Sequence, residues 1–595
     1  MSDRVEIRRF ETLRKWKMAS PGTFAVAVVS CLFLLTLLLI TPAYDVNDDP
    51  AMALVASGFG TIDGPDEHLI YTNVLIGKLL KQLYQVAPLI PWYGCYLLLV
   101  HYISYCLLLY VLLLLDRQWF SLTGFLLFYL GAGIYFLTHL QFTSTAFLLG
   151  LAGLSLILTN LIVDAKGDRY HWLKWGGALC LITSSLIRLP AFQMLVLASL
   201  PLLLAITFQF FRQVKISAYL APAILTVIGV LGCAAYDRHY YQQDEGWQTY
   251  LNHSSAVAEL INYVQIPYKD QTKPLFDEVG WSNYDFWMMK DWFYFDPEVY
   301  NVTRIEDFKK RSQEYTLWKF PEVMHYRIAT AKSAFLNPTF LFCFIGSILI
   351  IRQIENKSWQ RRTVKWMLGW TVLLMVWLLI YLKLPERVYI PLGCFPFFLA
   401  IFFNAAESSR QQDPEQTQQG PSVYWGTLVL FLVVGILVWN QKHWSDQVMS
   451  INQRFKQDLK QLHQQMPDRV FLAWAPFPID CFLPLDNLSE SKDLKYLWLT
   501  GRQSTPLFQQ RQNAYQIKSP YTDLYETDRL LLISNPVSNR NLQGYLKQHY
   551  GVNVKFQTVF KGGYFRVYQV IKAKDEPIQT QPHKKNITAN PGTQP

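Results

Sequence analysis

Three carboxylates fall within five positions in the stretch YDVNDDP, at Asp45, Asp48 and Asp49. Closely spaced carboxylates raise one another's pKa, and a partly buried one suits general-base removal of a proton from a hydroxyl. GPDEH adds Glu67 and His68, and THLQFTS adds His139 and Gln141. Two arginines stand close to prolines, Arg188 in IRLP and Arg387 in KLPERVYIP. A guanidinium is a rigid fork of donors that matches phosphate oxygens, so such a pair suits a lipid-linked phosphate or pyrophosphate. Each residue also has a structural reading. Asp49 before Pro50 suits a helix start, Asp66 and Glu67 after Pro65 suit a helix dipole, an arginine beside a bilayer suits headgroups, and His68 or His139 suits packing. Capping alone does not account for three carboxylates so close together.

The chain that must position these groups has an unusual composition. Of 595 residues, 51% are apolar and 15% aromatic, while Asp, Glu, Lys and Arg reach only 16%, against about 25% in soluble domains. A soluble protein of this composition could not cover its apolar surface. The mean hydropathy of +0.12 averages over blocks of membrane-spanning length, short charged loops and two long polar regions. A cytosolic enzyme, a fibre and a disordered chain are excluded. Eleven spans are predicted, at residues 23–42, 93–115, 119–137, 142–163, 172–187, 189–211, 216–236, 338–351, 366–382, 388–405 and 423–439. The fold class expected is an α-helical multispanning membrane protein with a C-terminal soluble α/β or α+β domain.

With the N-terminus cytoplasmic, eighteen Lys and Arg residues fall in inside segments. Five fall outside once the two long polar regions are set aside: Lys78, Lys81, Arg188, Lys383 and Arg387. This bias places the loops 43–92 and 237–337, and everything after residue 439, outside. It also reads the net charge of +10 as membrane orientation, with no nucleic-acid partner. The organisation expected is a cytoplasmic leader (1–22), a transmembrane domain (23–439), a soluble extracytoplasmic domain (440–575) and a disordered tail (576–595). In the soluble domain, VFLAW, LKYLWLT, RLLLIS, VKFQTVF and FRVYQVI read as strands after a helix near 446–464. Only Cys481 lies in a polar region, which excludes a disulfide framework.

Apart from His101 and Lys174, the spans contain no Asp, Glu, Lys, Arg or His. Intramembrane charge is expensive and usually functional, so its scarcity argues against an ion-coupled transporter with a midplane site. The polar candidates instead gather at span ends, and the parity of the topology puts all five segments on the outer side. Residues 68–86 carry a helical amphipathic period that suits a helix on the outer leaflet. In the loop 237–337, Trp281, Tyr284, Trp287, Trp292 and Phe293 read as an interfacial aromatic belt.

An acidic cluster after the first span, an amphipathic external helix and a soluble C-terminal appendage resemble the GT-C superfamily of integral-membrane glycosyltransferases. Locally, NDDPAMALVASGFGTIDGPDEH followed by NVLIGKLLKQLYQVAPLIPWYG is similar to bacterial GT-C-type proteins of surface-polysaccharide decoration. The resemblance implies a polyprenyl-phosphate-linked sugar donor, a glycan or lipid acceptor, inversion at the anomeric carbon, Asp49 or Asp48 as base and Arg387 as a contact to the carrier phosphate. Arg188, Asp45, Glu67, His68, His139 and Gln141 complete the expected binding set. The acidic pair is Asp-Asp rather than the Asp-Glu of protein mannosyltransferases. The C-terminal region lacks the Trp-Trp-Asp motif of oligosaccharyltransferases. The cofactor is unknown; a divalent metal on the carboxylates is one option. The other readings are a lipid-linked oligosaccharide flippase and a polysaccharide polymerase or ligase. The location expected is the plasma (inner) membrane.

Overall fold

The computed structural model describes residues 20–116, 119–163, 170–210, 217–264, 266–315, 320–356, 358–408, 421–474, 481–491, 495–499 and 501–573. The leader up to residue 19 and the whole of the predicted tail lie outside this set.

Helix Pro21–Leu39 begins with Ser20, whose hydroxyl accepts the Thr23 amide, and with Pro21 in the first turn. Proline costs nothing there, because that N–H has no helical partner. Only the stripe Ala25, Val29, Phe33 and Thr36 is buried, while Leu34, Leu35, Leu38 and Leu39 face outward. An apolar outer face of this extent requires hydrocarbon around it. The chain is a multispanning helical membrane protein. Among the described residues, seven helices are long and apolar enough to cross unbroken, and two bent pairs, Leu189–Ala198 with Leu200–Gln209 (48°) and Pro321–Leu336 with Pro338–Ile351 (55°), bring the number to nine if each is one span.

Eleven spans are predicted from the sequence, and among the described residues seven to nine pass as candidate crossings. Trp172–Ile187 is a shorter apolar helix. The block at 423–439 is the opening of a 45-residue helix, Pro421–Gln465, that runs on into the soluble region. Glu386–Ser408 lies at the centre of the bundle and is buried from Tyr389 to Glu407.

Two parallel bridges tie two helix ends together. Strand β1 (Ala43–Tyr44) pairs with β2 (His139–Leu140), and the Asp45 amide donates to the Leu140 carbonyl at 3.1 Å. The segments YDVNDDP and THLQFTS are therefore neighbours. Helix Val74–Val86 buries Val74, Ile76, Gly77, Leu80 and Tyr84 and leaves Leu75, Leu79 and Val86 exposed. Gly77 is required there, since a Cβ would stand 2.0 Å from the Glu67 carbonyl oxygen. This helix packs on the acidic loop through one face and keeps an apolar row on the other.

The soluble sheet has the order β4 (Lys495–Leu499), β3 (Val470–Trp474), β5 (Leu530–Ser534), β7 (Arg566–Lys572), β6 (Val554–Lys561). β3 is parallel to β4 and to β5. β7 is antiparallel to β5 and to β6. All five strands read from sequence are present. The loop 237–337 is not separate from them. Trp281, Phe293 and Tyr300 share one hydrophobic core with Val470, Trp474 and Tyr545, and the Trp474 indole donates to the Asp291 carbonyl at 2.8 Å. The aromatic-belt reading fails for Trp281 and Phe293, which are 1% and 0% exposed. Alternation of aromatics with acids looked like a surface in one dimension, but those rings close a core whose other half lies some 200 residues further along.

Candidate active site

Helix Asp48–Ser57 starts after Asn47, so Asp48 and Asp49 occupy its first turn and Asp49 is not its cap. The Asp49 side chain instead reaches two other elements. Its Oδ1 accepts the Tyr93 hydroxyl at 2.8 Å and the Phe142 amide at 3.2 Å. Phe142 begins helix Phe142–Val163, whose first amides lack helical acceptors. Asp49 thus joins three helices at one buried point. It is fully buried and its Oδ2 has no hydrogen-bond partner among the described residues. Burial pushes its carboxyl well above the usual range, against the pull of Tyr93 and the Phe142 amide, and neighbouring Asp48 adds to the rise.

Asp48, by contrast, is half-buried. Its charge is the leading electrostatic support of the Arg188 guanidinium, which burial pulls below its ordinary pKa and which Arg387 opposes further. Arg188 donates to the Tyr71 carbonyl at 3.2 Å and lies over the rings of Tyr71 and Phe142, at 5.3 and 4.8 Å. Asp45 stands on the other side, where burial and then Glu386 raise its carboxyl to about 6 while Arg387 works against them. Glu386 is itself held by the Tyr135 and Tyr389 hydroxyls, each at 3.0 Å. Asp45, Asp48, Asp49, Arg188 and Arg387 therefore share one electrostatic neighbourhood at the ends of the apolar helices.

The remaining expected residues divide. Glu67 is buried, and its carboxylate takes Lys81 at 2.5 Å and the Tyr240 hydroxyl at 2.7 Å. Burial alone would raise its pKa, but these bonds outweigh it and hold the group at about 2. His68 stacks on Trp247 (4.5 Å, 11°) with Nδ1 on Asp66 at 2.8 Å. His139 is sandwiched between Tyr135 and Trp444, at 4.3 and 4.0 Å, and burial drops it to about 4. That is a packing role. Gln141 is 1% exposed, with neither amide atom hydrogen-bonded among the described residues. Asp66, Glu67 and His68 offer ligand atoms within 4.8 Å of one another, and they are the one such group among the described residues. Lys81 already occupies the Glu67 carboxylate, so this group suits an ion poorly.

Comparison with known proteins finds a likeness among solved structures. The chain aligns with ArnT from Cupriavidus metallidurans, crystallised bound to undecaprenyl phosphate, over 92% of this chain and 97% of that one. The TM-score is 0.38 and the identity 10%. No family model and no curated protein matches.

Sequence reasoning passed over Tyr93, Tyr71 and Arg502. Tyr93 sits in an apolar block and reads there as one more interfacial ring. Its role depends on the hydroxyl meeting Asp49, which no local pattern encodes. Arg502 lies in the soluble region, and its Cζ is 5.7 Å from the same Tyr71 ring that Arg188 covers.

Proposed function

We propose that this protein is a GT-C-type membrane glycosyltransferase, moving a sugar from a polyprenyl-phosphate carrier to a glycan or lipid acceptor on the extracytoplasmic face. The observation that carries this reading is Asp48: a half-buried carboxylate beside Arg188, with Arg387 in electrostatic reach, at the mouth of an apolar helical bundle. Phosphate recognition needs the guanidinium forks, acceptor activation needs the carboxylate, and a carrier tail needs hydrocarbon next to both.

In the reaction, the acceptor hydroxyl oxygen bonds to the anomeric carbon as the bond from that carbon to the carrier phosphate breaks. The hydroxyl proton passes to Asp48, and the phosphate leaves as an anion held by Arg188 and Arg387. Attack opposite the leaving group inverts the anomeric centre. Asp49 is assigned a positioning role, since its bound oxygen is committed to Tyr93 and Phe142. The N-terminus is placed in the cytoplasm and the soluble domain outside the plasma membrane.

The test is transfer from a polyprenyl-phosphate sugar by purified protein in nanodiscs, comparing wild type with Asp48→Asn. Loss of transfer with intact folding supports the assignment. Full activity of both Asp48→Asn and Asp49→Asn would remove the carboxylate base from the mechanism.

A further inference from the structure

The loop after β4 is fixed on both sides of Arg502. The Gly501 carbonyl accepts the Tyr250 hydroxyl at 2.9 Å, and Gln503 donates to the Trp292 carbonyl at 3.0 Å. Thr505 donates its hydroxyl to the Arg502 carbonyl at 2.8 Å and caps helix Pro506–Ala514 by accepting the Phe508 amide. The Arg502 side chain is thus carried on a braced backbone. It is 8% exposed, and neither Nη1 nor Nη2 has a hydrogen-bond partner among the described residues. A buried guanidinium left unpaired is costly, and such groups are retained where something else supplies the counter-charge.

Its surroundings say what that is. Arg502 and Arg188 come from opposite halves of the molecule and both lie against Tyr71, at 5.7 and 5.3 Å from the ring. Asp48, the acid that acts on the same ring, forms no ion pair within 4.0 Å of Arg502 among the described residues. Arg502 also lines a small cavity of about 40 Å³ with His68, Trp247, Trp498 and Arg511. Arg511 is 5% exposed there, with Cζ 4.7 Å from the Trp498 ring. Two cations from two domains set against one ring suit a multiply charged oxyanion.

We propose that Arg502 and Arg188 form one anion site across the boundary between the membrane bundle and the soluble domain, taking a phosphate-type group of the substrate. The soluble domain then contributes directly to substrate binding. Assigning the phosphate to the lipid carrier rests on the transferase reading; the anion chemistry does not.

The experiment uses the full chain in nanodiscs, with thermal melting read against undecaprenyl phosphate, pyrophosphate and the uncharged undecaprenol. Wild type is expected to be stabilised by a phosphate probe and not by undecaprenol. Arg502→Gln is expected to weaken phosphate binding about tenfold or more, yet to melt no lower than wild type without ligand, because it removes an unpaired buried charge. Arg502→Lys keeps part of the binding. Stabilisation by undecaprenyl phosphate alone assigns the group to a lipid carrier, and stabilisation by pyrophosphate as well assigns it to the phosphate itself. No shift of wild type by either phosphate probe, or an Arg502→Gln protein that binds both as wild type does, overturns the site. Arg502-dependent phosphate binding in a protein that transfers no sugar from any carrier would leave the anion site standing and remove the transferase reading alone.

Discussion

Tyr93 donates its hydroxyl to Asp49 Oδ1 at 2.8 Å, and the same oxygen receives the Phe142 amide. One carboxylate oxygen therefore locks helix Asp48–Ser57 to the helices that begin at Trp92 and Phe142. The other oxygen is buried and has no partner among the described residues. Removing the phenol leaves a buried acceptor short of a donor, so Tyr93→Phe is expected to cost about 1–3 kcal/mol. The check is the melting temperature of the solubilised protein. Asp49→Asn should behave differently, because an amide oxygen still accepts both bonds and no charge is buried. At pH above neutrality it is expected to melt no lower than wild type.

Asp48 separates from Asp49 in activity. General-base catalysis is worth about 10²- to 10⁴-fold in rate, and a loss of that size is expected in kcat for Asp48→Asn with its melting temperature kept. Asp49→Asn is expected to stay within about tenfold of wild type, since it acts through position only. Equal losses in the two variants would return the base assignment to the pair.

How far the sequence led depends on whether a signal was local. Strands such as VFLAW and RLLLIS carry their own length and composition, and each sits where expected as β3 and β5. Span parity put YDVNDDP and THLQFTS on one side of the membrane, and the β1–β2 pairing makes them direct neighbours. Asp49 is different. Its environment is set by Tyr93, 44 positions away, and by Phe142, 93 away, so neither its burial nor its cross-link could be read beside Pro50. The shared core of Phe293 and Trp474, whose rings meet at 4.5 Å, is equally nonlocal.

Asp45 gives a pH dependence. Its carboxyl is raised from 3.8 to about 6, by burial first and Glu386 second, with Arg387 opposing. The folded protein holds this proton more tightly than the unfolded chain. The stability that brings is full at pH values below the unfolded pKa and is lost as pH rises through about 6. Asp45→Asn has no charge to bury, so its melting temperature relative to wild type is expected to climb between about pH 5 and about pH 8. Arg387→Gln removes the opposing cation and should move the wild-type transition to higher pH. A wild-type-to-Asn difference that stays constant across this range would count against a titrating Asp45.

Trp474 tests whether the loop and the soluble sheet are one body. It is 1% exposed in β3, packs on Phe293 and donates to the Asp291 carbonyl. Truncating such a ring typically costs about 3–5 kcal/mol, and here the cavity would open on both sides of the junction. Trp474→Ala is therefore expected to bring new protease cuts within 245–312 as well as within 470–572, at the same rate. Trp287 lies on the exposed side of helix Asn283–Lys290, so Trp287→Ala should leave the digestion pattern as in wild type. Cuts confined to the sheet in Trp474→Ala would mean that the loop is held by the membrane bundle instead. A shared core predicts that the two segments fail together, because neither buries Trp281, Phe293 and Trp474 without the other.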